Sequence, residues 1–271
     1  MSIIKPRKFK FSSNEDMKPY QILDNPLIST FYYSISIGFP YGERLMVETA
    51  RHYLNTIQDP ELKSRVRGFI GQESHHANAT EEMNHILTEY GFDIAALDGL
   101  IAEGYDRSVK GRSWEDRLDF HCAFEHLTAV FSAYIVKNKS LFDDMPKNAK
   151  ALMVWHCIEE IEHKDVVFDL ATYLDPSRPH RRKVLFDVLA FMMSYSIKYQ
   201  RIMLKQVNWK PNRKDIWGTM KFLFRPGGLV PALCRDTFKY LKSDFHPNDI
   251  DHTNLIRDWE KRFPDIAQAV S

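Results

Sequence analysis

Trp155-His156-Cys157-Ile158-Glu159-Glu160-Ile161-Glu162-His163 is the stretch from which the fold reads outward. Around it Leu152, His156, Val167, Leu170 and Leu174 recur at helical spacing, the stripe of a helix with one buried face. Glu160 and His163 sit on that stripe one turn apart, while Glu162 points away. Glu159 is one step, about 100°, from Glu160 and also lies near His163, so spacing alone leaves either glutamate open. An ionised glutamate on a buried face is costly unless a cation or hydrogen bonds compensate it. Metal ligation is one such compensation.

The same arrangement occurs earlier in the chain. Val66, Phe69, Ile70, Ala77, Thr80, Met83 and Leu87 form a helical stripe on which Glu73 and His76 take the missing positions. A third Glu-x-x-His, Glu82 and His85, lies nine residues on, which rotates it to the opposite, solvent-facing side. Di-iron carboxylate bundles combine two Glu-x-x-His helices with one further Glu from each of two others. In the helix before, Glu43 shares a stripe with Met46, Val47, Ala50, Leu54 and Ile57, whereas Glu48 is rotated by about 140°. In the helix between, Leu118, Cys122, Ala129, Ser132 and Val136 form a stripe containing Glu125, the only Glu between Glu115 and Glu159. Four glutamates and two neutral histidines balance two divalent cations, so the candidate ligand and catalytic set is Glu43, Glu73, His76, Glu125, Glu160 and His163. The plainer alternative is ordinary helix-surface pairs worth a few tenths of a kcal/mol.

The whole chain suits an all-α fold. Its 271 residues, 44% of them apolar, suffice for a sizeable core. Lys and Arg number 37 against 36 Asp and Glu, a net charge of +1 that excludes a global field for nucleic acid. Cys122, Cys157 and Cys234 are odd in number and form no CxxC pair, which points away from a disulfide framework and toward a reducing, cytoplasmic setting. The basic N-terminus, Met1 to Phe11, lacks the apolar core of a signal peptide, and Val184 to Ile197 is too short and too interrupted to cross a membrane. Strand signals are nearly absent. Periodicity predicts helices near Tyr41 to Ile57, Glu61 to Tyr90, Trp114 to Asn138, Asn148 to Leu174 and His180 to Val207, with shorter ones up to Phe263. Gly91 to Ser113 reads as a long connection, so the expectation is a four-helix bundle with one crossover. Residues 1–30 read as tail and lead-in, 31–175 as the bundle, and 176–271 as a helical extension packed on it within a single domain.

Other residues leave alternatives open. His121 and His156, each one turn before a candidate glutamate, suit extra ligands, orienting partners, or packed core histidines. Phe245 to His252 reads as a turn with a helix cap in preference to a metal loop. Phe186, Phe191, Met192, Met193, Tyr195, Tyr199 and Met203 suit core packing or an apolar substrate pocket. The basic run Arg178 to Lys183 beside them reads as a solvated face, with membrane-surface contact as the alternative. Phe120, Phe124, Leu127 and Phe131 form a second apolar face, open to a homodimer partner or covered by the extension.

Several segments resemble the ferritin-like family catalogued as predicted metal-dependent hydrolases: Gly38 to Glu43, Phe69 to His76, Phe124 to Thr128, Trp155 to Lys164, and Tyr240 to Pro247. Where that pattern has another His one turn after the Glu-x-x-His of the second helix, this chain has Thr80. The resemblance implies a ferritin-like bundle and a metal-dependent enzyme. Mixed carboxylate and imidazole ligands suit two iron ions, with manganese as the other candidate. The activity expected is dioxygen-dependent oxidation of a small, apolar molecule, which needs an electron donor. The alternative is hydrolysis by a metal-activated water, and a third reading is a non-catalytic metal-binding bundle.

Overall fold

The structure is a computed structural model that describes residues 4–9, 19–178 and 180–262. Parts of the predicted N-terminal tail and the end of the extension from Phe263 lie outside the described residues. Every regular element among the described residues is helical, so the chain is all-α.

Helix α1 (Pro26–Ser36) opens with Asn25, whose side chain accepts from the Leu27 and Ile28 amides, and with Pro26 where a missing N–H costs nothing. Its first five residues fall in the stretch expected to be lead-in and the rest in the expected bundle. Helix α2 (Phe39–Tyr53) leads by a short loop into α3 (Pro60–Ile86), which starts on the same chemistry: Asp59 caps Glu61 and Leu62, and Pro60 follows. Gly91, at φ 86°, ends the turn after α3 in a left-handed conformation that glycine adopts without strain.

The long connection is itself largely helical. Helix α4 (Ile94–Tyr105) and a π-turn over Asp106–Lys110 fill it, with Ile94, Leu97 and Ile101 buried. Helix α5 (Trp114–Lys137) is buried on nearly every side, as a helix at the centre of a fold must be. The stretch expected as one helix from Asn148 to Leu174 is two, α6 (Lys147–His163) and α7 (Val166–Leu174). The break coincides with contacts to residues distant in sequence. Asp165 turns to Arg65 of α3 at 2.6 Å, and the adjacent Lys164 turns to the carbonyl of Ile250.

Helix α8 (Arg181–Gln206) lies along α1 and α5, and α9 (Arg213–Phe224), α10 (Leu229–Thr237) and α11 (Thr253–Arg262) complete the fold. Phe191 of α8 meets Phe120 edge-on, with ring centroids 5.5 Å apart. The apolar face of Phe120 and Phe124 is therefore covered from within the chain, which removes it as a dimer surface. In the basic run, Arg178 is buried against Asp119 at 2.7 Å and Arg181 donates to the carbonyls of Tyr240 and Lys242. Those two arginines are therefore internal, while His180, Arg182 and Lys183 are exposed, as a solvated face requires. No helix among the described residues is long and apolar enough to cross a membrane.

Residues 4–9, expected to be tail, form a strap across α3 and α6. Ile4 and Arg7 are buried, and Phe9 stacks on Trp155. The strap lies so close to α3 because Gly68 and Gly71 face Ile4 and Pro6; a Cβ on Gly68 would collide with the Ile4 carbonyl. Gly68→Ala should therefore lower stability by about 1–2 kcal/mol in urea unfolding, the clash outweighing alanine's gain of roughly 1 kcal/mol as a helix former. Unchanged or raised stability would show that the strap contributes nothing.

Candidate metal centre

Four helices aim carboxylates and imidazoles at one interior point. Helix α2 presents Glu43, α3 presents Glu73 and His76, α5 presents Glu125, and α6 presents His156, Glu160 and His163. Glu43, Glu73, His76, Glu125, Glu160 and His163 are all buried, at 3% exposure or less. The i, i+3 spacing sets Glu73 beside His76 and Glu160 beside His163 on one helix face.

The donors fall into two groups that adjoin. Glu43, His76, His156 and Glu160 form one, and Glu73, Glu125 and His163 the other; within each group the donor atoms lie within 4.8 Å of one another. Two glutamates stand between the groups. Glu73 Oε1 is 3.3 Å from His76 Nδ1 and 3.1 Å from His163 Nε2. Glu160 Oε1 is 3.4 Å from His76 Nδ1, 3.2 Å from His156 Nε2 and 3.7 Å from His163 Nε2. Glu125 Oε2 closes the second group at 3.2 Å from His163 Nε2, and Glu43 Oε1 flanks the first at 3.5 Å from His156 Nε2.

These atoms are close together yet unsatisfied. Both oxygens of Glu43, Glu73 and Glu125, together with Glu160 Oε2, His76 Nδ1 and His163 Nε2, have no hydrogen-bond partner among the described residues. Buried polar groups are almost always paired, and a set of orphans facing one point has the chemistry to hold a cation. Without one, the carboxylates resist ionisation. Burial and the neighbouring Glu73 charge raise Glu43 well above the usual range, burial and Glu160 do the same to Glu125, and burial and Glu160 lift Glu73 to about 7. Glu160 goes the other way, because the His156 hydrogen bond and the nearby His76 and His163 outweigh its burial. Burial acts to neutralise His76, but Glu159, Glu160 and Glu73 around it keep it protonated to higher pH. Burial and His76 together hold His156 neutral.

An outer layer fixes the two imidazoles. His76 Nε2 donates to Glu159 Oε2 at 3.1 Å, leaving Nδ1 to face the cluster. His163 Nδ1 donates to Gln72 Oε1 at 2.9 Å, leaving Nε2 to do so. A carboxylate or carbonyl behind a histidine sets the tautomer in this way at metal sites. The layer continues into the strap: Gln72 Nε2 donates to the Lys5 carbonyl and to Glu162, and Arg7 bridges Glu159 at 3.1 Å and Glu162 at 2.6 Å.

The spacing of the sequence leaves three positions open, and the structure separates them. Glu160 faces the cluster, whereas Glu159 lies behind His76. His156 joins the first group, and its Nδ1 lies 3.5 Å from Thr80 Oγ1. His121 is buried outside both groups. Glu48 pairs with Arg117 at 2.9 Å, and Glu82 and His85 are exposed. A third set, Asp165, Asp169 and His246, is already compensated, since Arg65 bridges both aspartates. His246 there caps the turn Pro247–Asp249, in line with the turn reading of that loop.

A cavity of about 30 Å³ is walled by Gly38, Phe39, Tyr105, Phe124, Phe191 and Tyr195, among others. Phe39 packs on the His156 ring at 5.3 Å, and burial plus the Glu43 charge hold the Tyr105 phenol protonated.

Comparison with known proteins gives one family. The family described as predicted metal-dependent hydrolase matches residues 5–251. No curated protein and no solved structure matches the chain.

The raised carboxylates set a sign for the metal-free chain. Glu43, Glu73 and Glu125 hold protons that the unfolded chain has released above about pH 4.5, so stability falls as pH rises through their folded values. Buried neutral histidines such as His126 and His252, lowered to about 4, act below pH 6.5 in the opposite sense; on the alkaline side raised His76 adds to the fall and Lys164, lowered to about 8, opposes it, so a variant is needed to isolate a carboxylate. Calorimetry of metal-free protein should show the melting temperature dropping between pH 7 and 9. Glu125→Gln, which cannot ionise, should lose less over that range. An equal drop in both would show that Glu125 is ordinary in its titration.

Proposed function

The chain belongs to the family of predicted metal-dependent hydrolases, and from that premise we propose that it is a dinuclear metal enzyme. Glu43, His76 and His156 would hold one divalent ion, Glu125 and His163 the other, and Glu73 and Glu160 would reach both. The observation that carries this reading is the set of buried donor atoms without partners, aimed at a common point. Four carboxylate charges equal those of two divalent ions, and Glu159 is already balanced by Arg7. Iron or manganese suits the mixed oxygen and nitrogen donors.

When bound, such a pair supplies either a polarised substrate oxygen and a water acidic enough to attack near neutral pH, or, as ferrous ions, two electrons for dioxygen. The family description favours hydrolysis, and that is the activity proposed. The chain's own residues prepare the site. Glu159 and Gln72 keep His76 and His163 in the tautomers that present a lone pair, and neutral His156 would present its own at Nε2, beside Glu43 and Glu160. The surrounding helices keep bulk water out, which strengthens every charge interaction inside.

A second reading has its own support. The cavity of about 30 Å³ beside Phe39 and Tyr105 has room for one water or a diatomic gas and is far below the size of an organic-ligand pocket. That suits dioxygen as a reactant; an oxidation of this kind would further need an external electron donor and a small, apolar substrate.

Elemental analysis of protein purified without added metal should find two ions per chain. Glu125→Ala or His163→Ala should remove them, and Glu82→Ala and His85→Ala should not. Glu159→Gln and Gln72→Leu should weaken metal affinity by about 10- to 100-fold. Turnover of a chromogenic ester panel without oxygen uptake supports hydrolysis. Oxygen consumption with a transient visible absorbance after anaerobic ferrous loading supports the second reading. Absence of metal at any loading would overturn both.

A further inference from the structure

Helix α9 carries a surface that the metal centre does not use. Its inward face is Asp215 and Phe222. On the opposite side Ile216, Trp217, Met220 and Phe224 are 45%, 74%, 48% and 53% exposed. At 3.6 residues per turn these four fall within an arc of about 100°. A Trp, a Phe, an Ile and a Met set in water on one convex face of one helix are unusual for a soluble surface.

The orientation of this face is fixed. The Asp215 carbonyl accepts from Asn25 Nδ2 at 3.0 Å, and Gly218 lies against the same Asn25 side chain, so α9 is pinned to the cap of α1. Its apolar arc therefore cannot turn inward without breaking that cap.

Charge identifies the occupant. Lys210, Arg213, Lys214, Lys221 and Arg225 are all exposed in and beside α9. Between residues 210 and 225 the only acidic residue is Asp215, and its carboxylate is buried, accepting from Trp209 Nε1 at 2.9 Å and Asn212 Nδ2 at 2.5 Å. The whole chain has a net charge of only +1, so this basicity is local. An apolar arc containing Trp and Phe, flanked by Lys and Arg and free of exposed acids, is the pattern of a helix lying in the interface of an anionic bilayer.

We propose that α9 docks the protein on an anionic lipid surface. Ile216, Trp217, Met220 and Phe224 enter the boundary between headgroups and acyl chains, and the basic side chains meet the lipid phosphates and carboxylates. The axis of α9 then lies in the membrane plane. This inference is independent of which reaction the metal centre performs.

The test is flotation of the full-length, metal-loaded protein with phosphatidylcholine vesicles containing or lacking phosphatidylserine. The expected result is co-flotation with the phosphatidylserine vesicles only, reversed at high salt. Trp217→Ser with Phe224→Ser should reduce the bound fraction by about tenfold or more, as should Lys214→Glu with Lys221→Glu. Circular dichroism and the melting temperature, unchanged in these variants, show that they fold. Absence of co-flotation would overturn the proposal, as would equal binding by the apolar double variant. A dimer in sedimentation equilibrium that Trp217→Ser dissociates, with no vesicle binding, would assign the face to a second copy of the chain and overturn it too.

Discussion

Four glutamates with overlapping surroundings in a dry interior repel one another, and the rest of the fold is arranged around that repulsion. Glu43, Glu73, Glu125 and Glu160 come from four different helices and are buried together. In a low-dielectric interior such a set either holds protons or holds cations. The raised values of Glu43, Glu73 and Glu125 are the first response. The inward aim of His76 and His163, whose other nitrogens are committed elsewhere, prepares the second. A helix bundle suits this because α-helices satisfy their own backbone groups, so the interior polar atoms can be reserved for a ligand.

Rigidity at the centre is obtained from the periphery. Arg7 reaches in from the strap to Glu159, which holds His76; Gln72 ties His163 to the strap's Lys5 carbonyl. The strap comes within reach only because α3 has Gly68 and Gly71 facing it. On the other side Phe39 packs on the His156 ring, and Phe39 and Tyr105 wall a cavity of about 30 Å³. Sequence, packing and chemistry are joined here: two glycines far from the carboxylates help set the tautomers of two histidines.

Much of the site was legible because helical phase is strict. Glu73 and His76 at i, i+3 must share a face, and Glu82 and His85, nine residues on, must not; the first pair is buried and the second exposed. The choice of Glu43 over Glu48 followed from the same phase. What periodicity does not encode is which residues meet across helices. His156 lies one turn from Glu160, but its place beside Glu43 depends on how α2 packs on α6. The strap was illegible because residues 4–9 have no regular structure and their burial is tertiary. Helix α1 was legible in principle, since Asn25-Pro26 is a cap followed by a favoured first residue. The break after His163 was not, because it is Arg65, Ile250 and Asn248, distant in sequence, that draw Lys164 and Asp165 apart.

The central claim is that two cations belong between these four helices. Anomalous diffraction from crystals of the metal-loaded protein, recorded at the absorption edge of the bound metal, tests it most directly. The account predicts two peaks about 3.5–4 Å apart, one beside Glu43 and His76 and the other beside Glu125 and His163, with Glu73 and Glu160 touching both. A single peak, or density only at Asp165, Asp169 and His246, would contradict it.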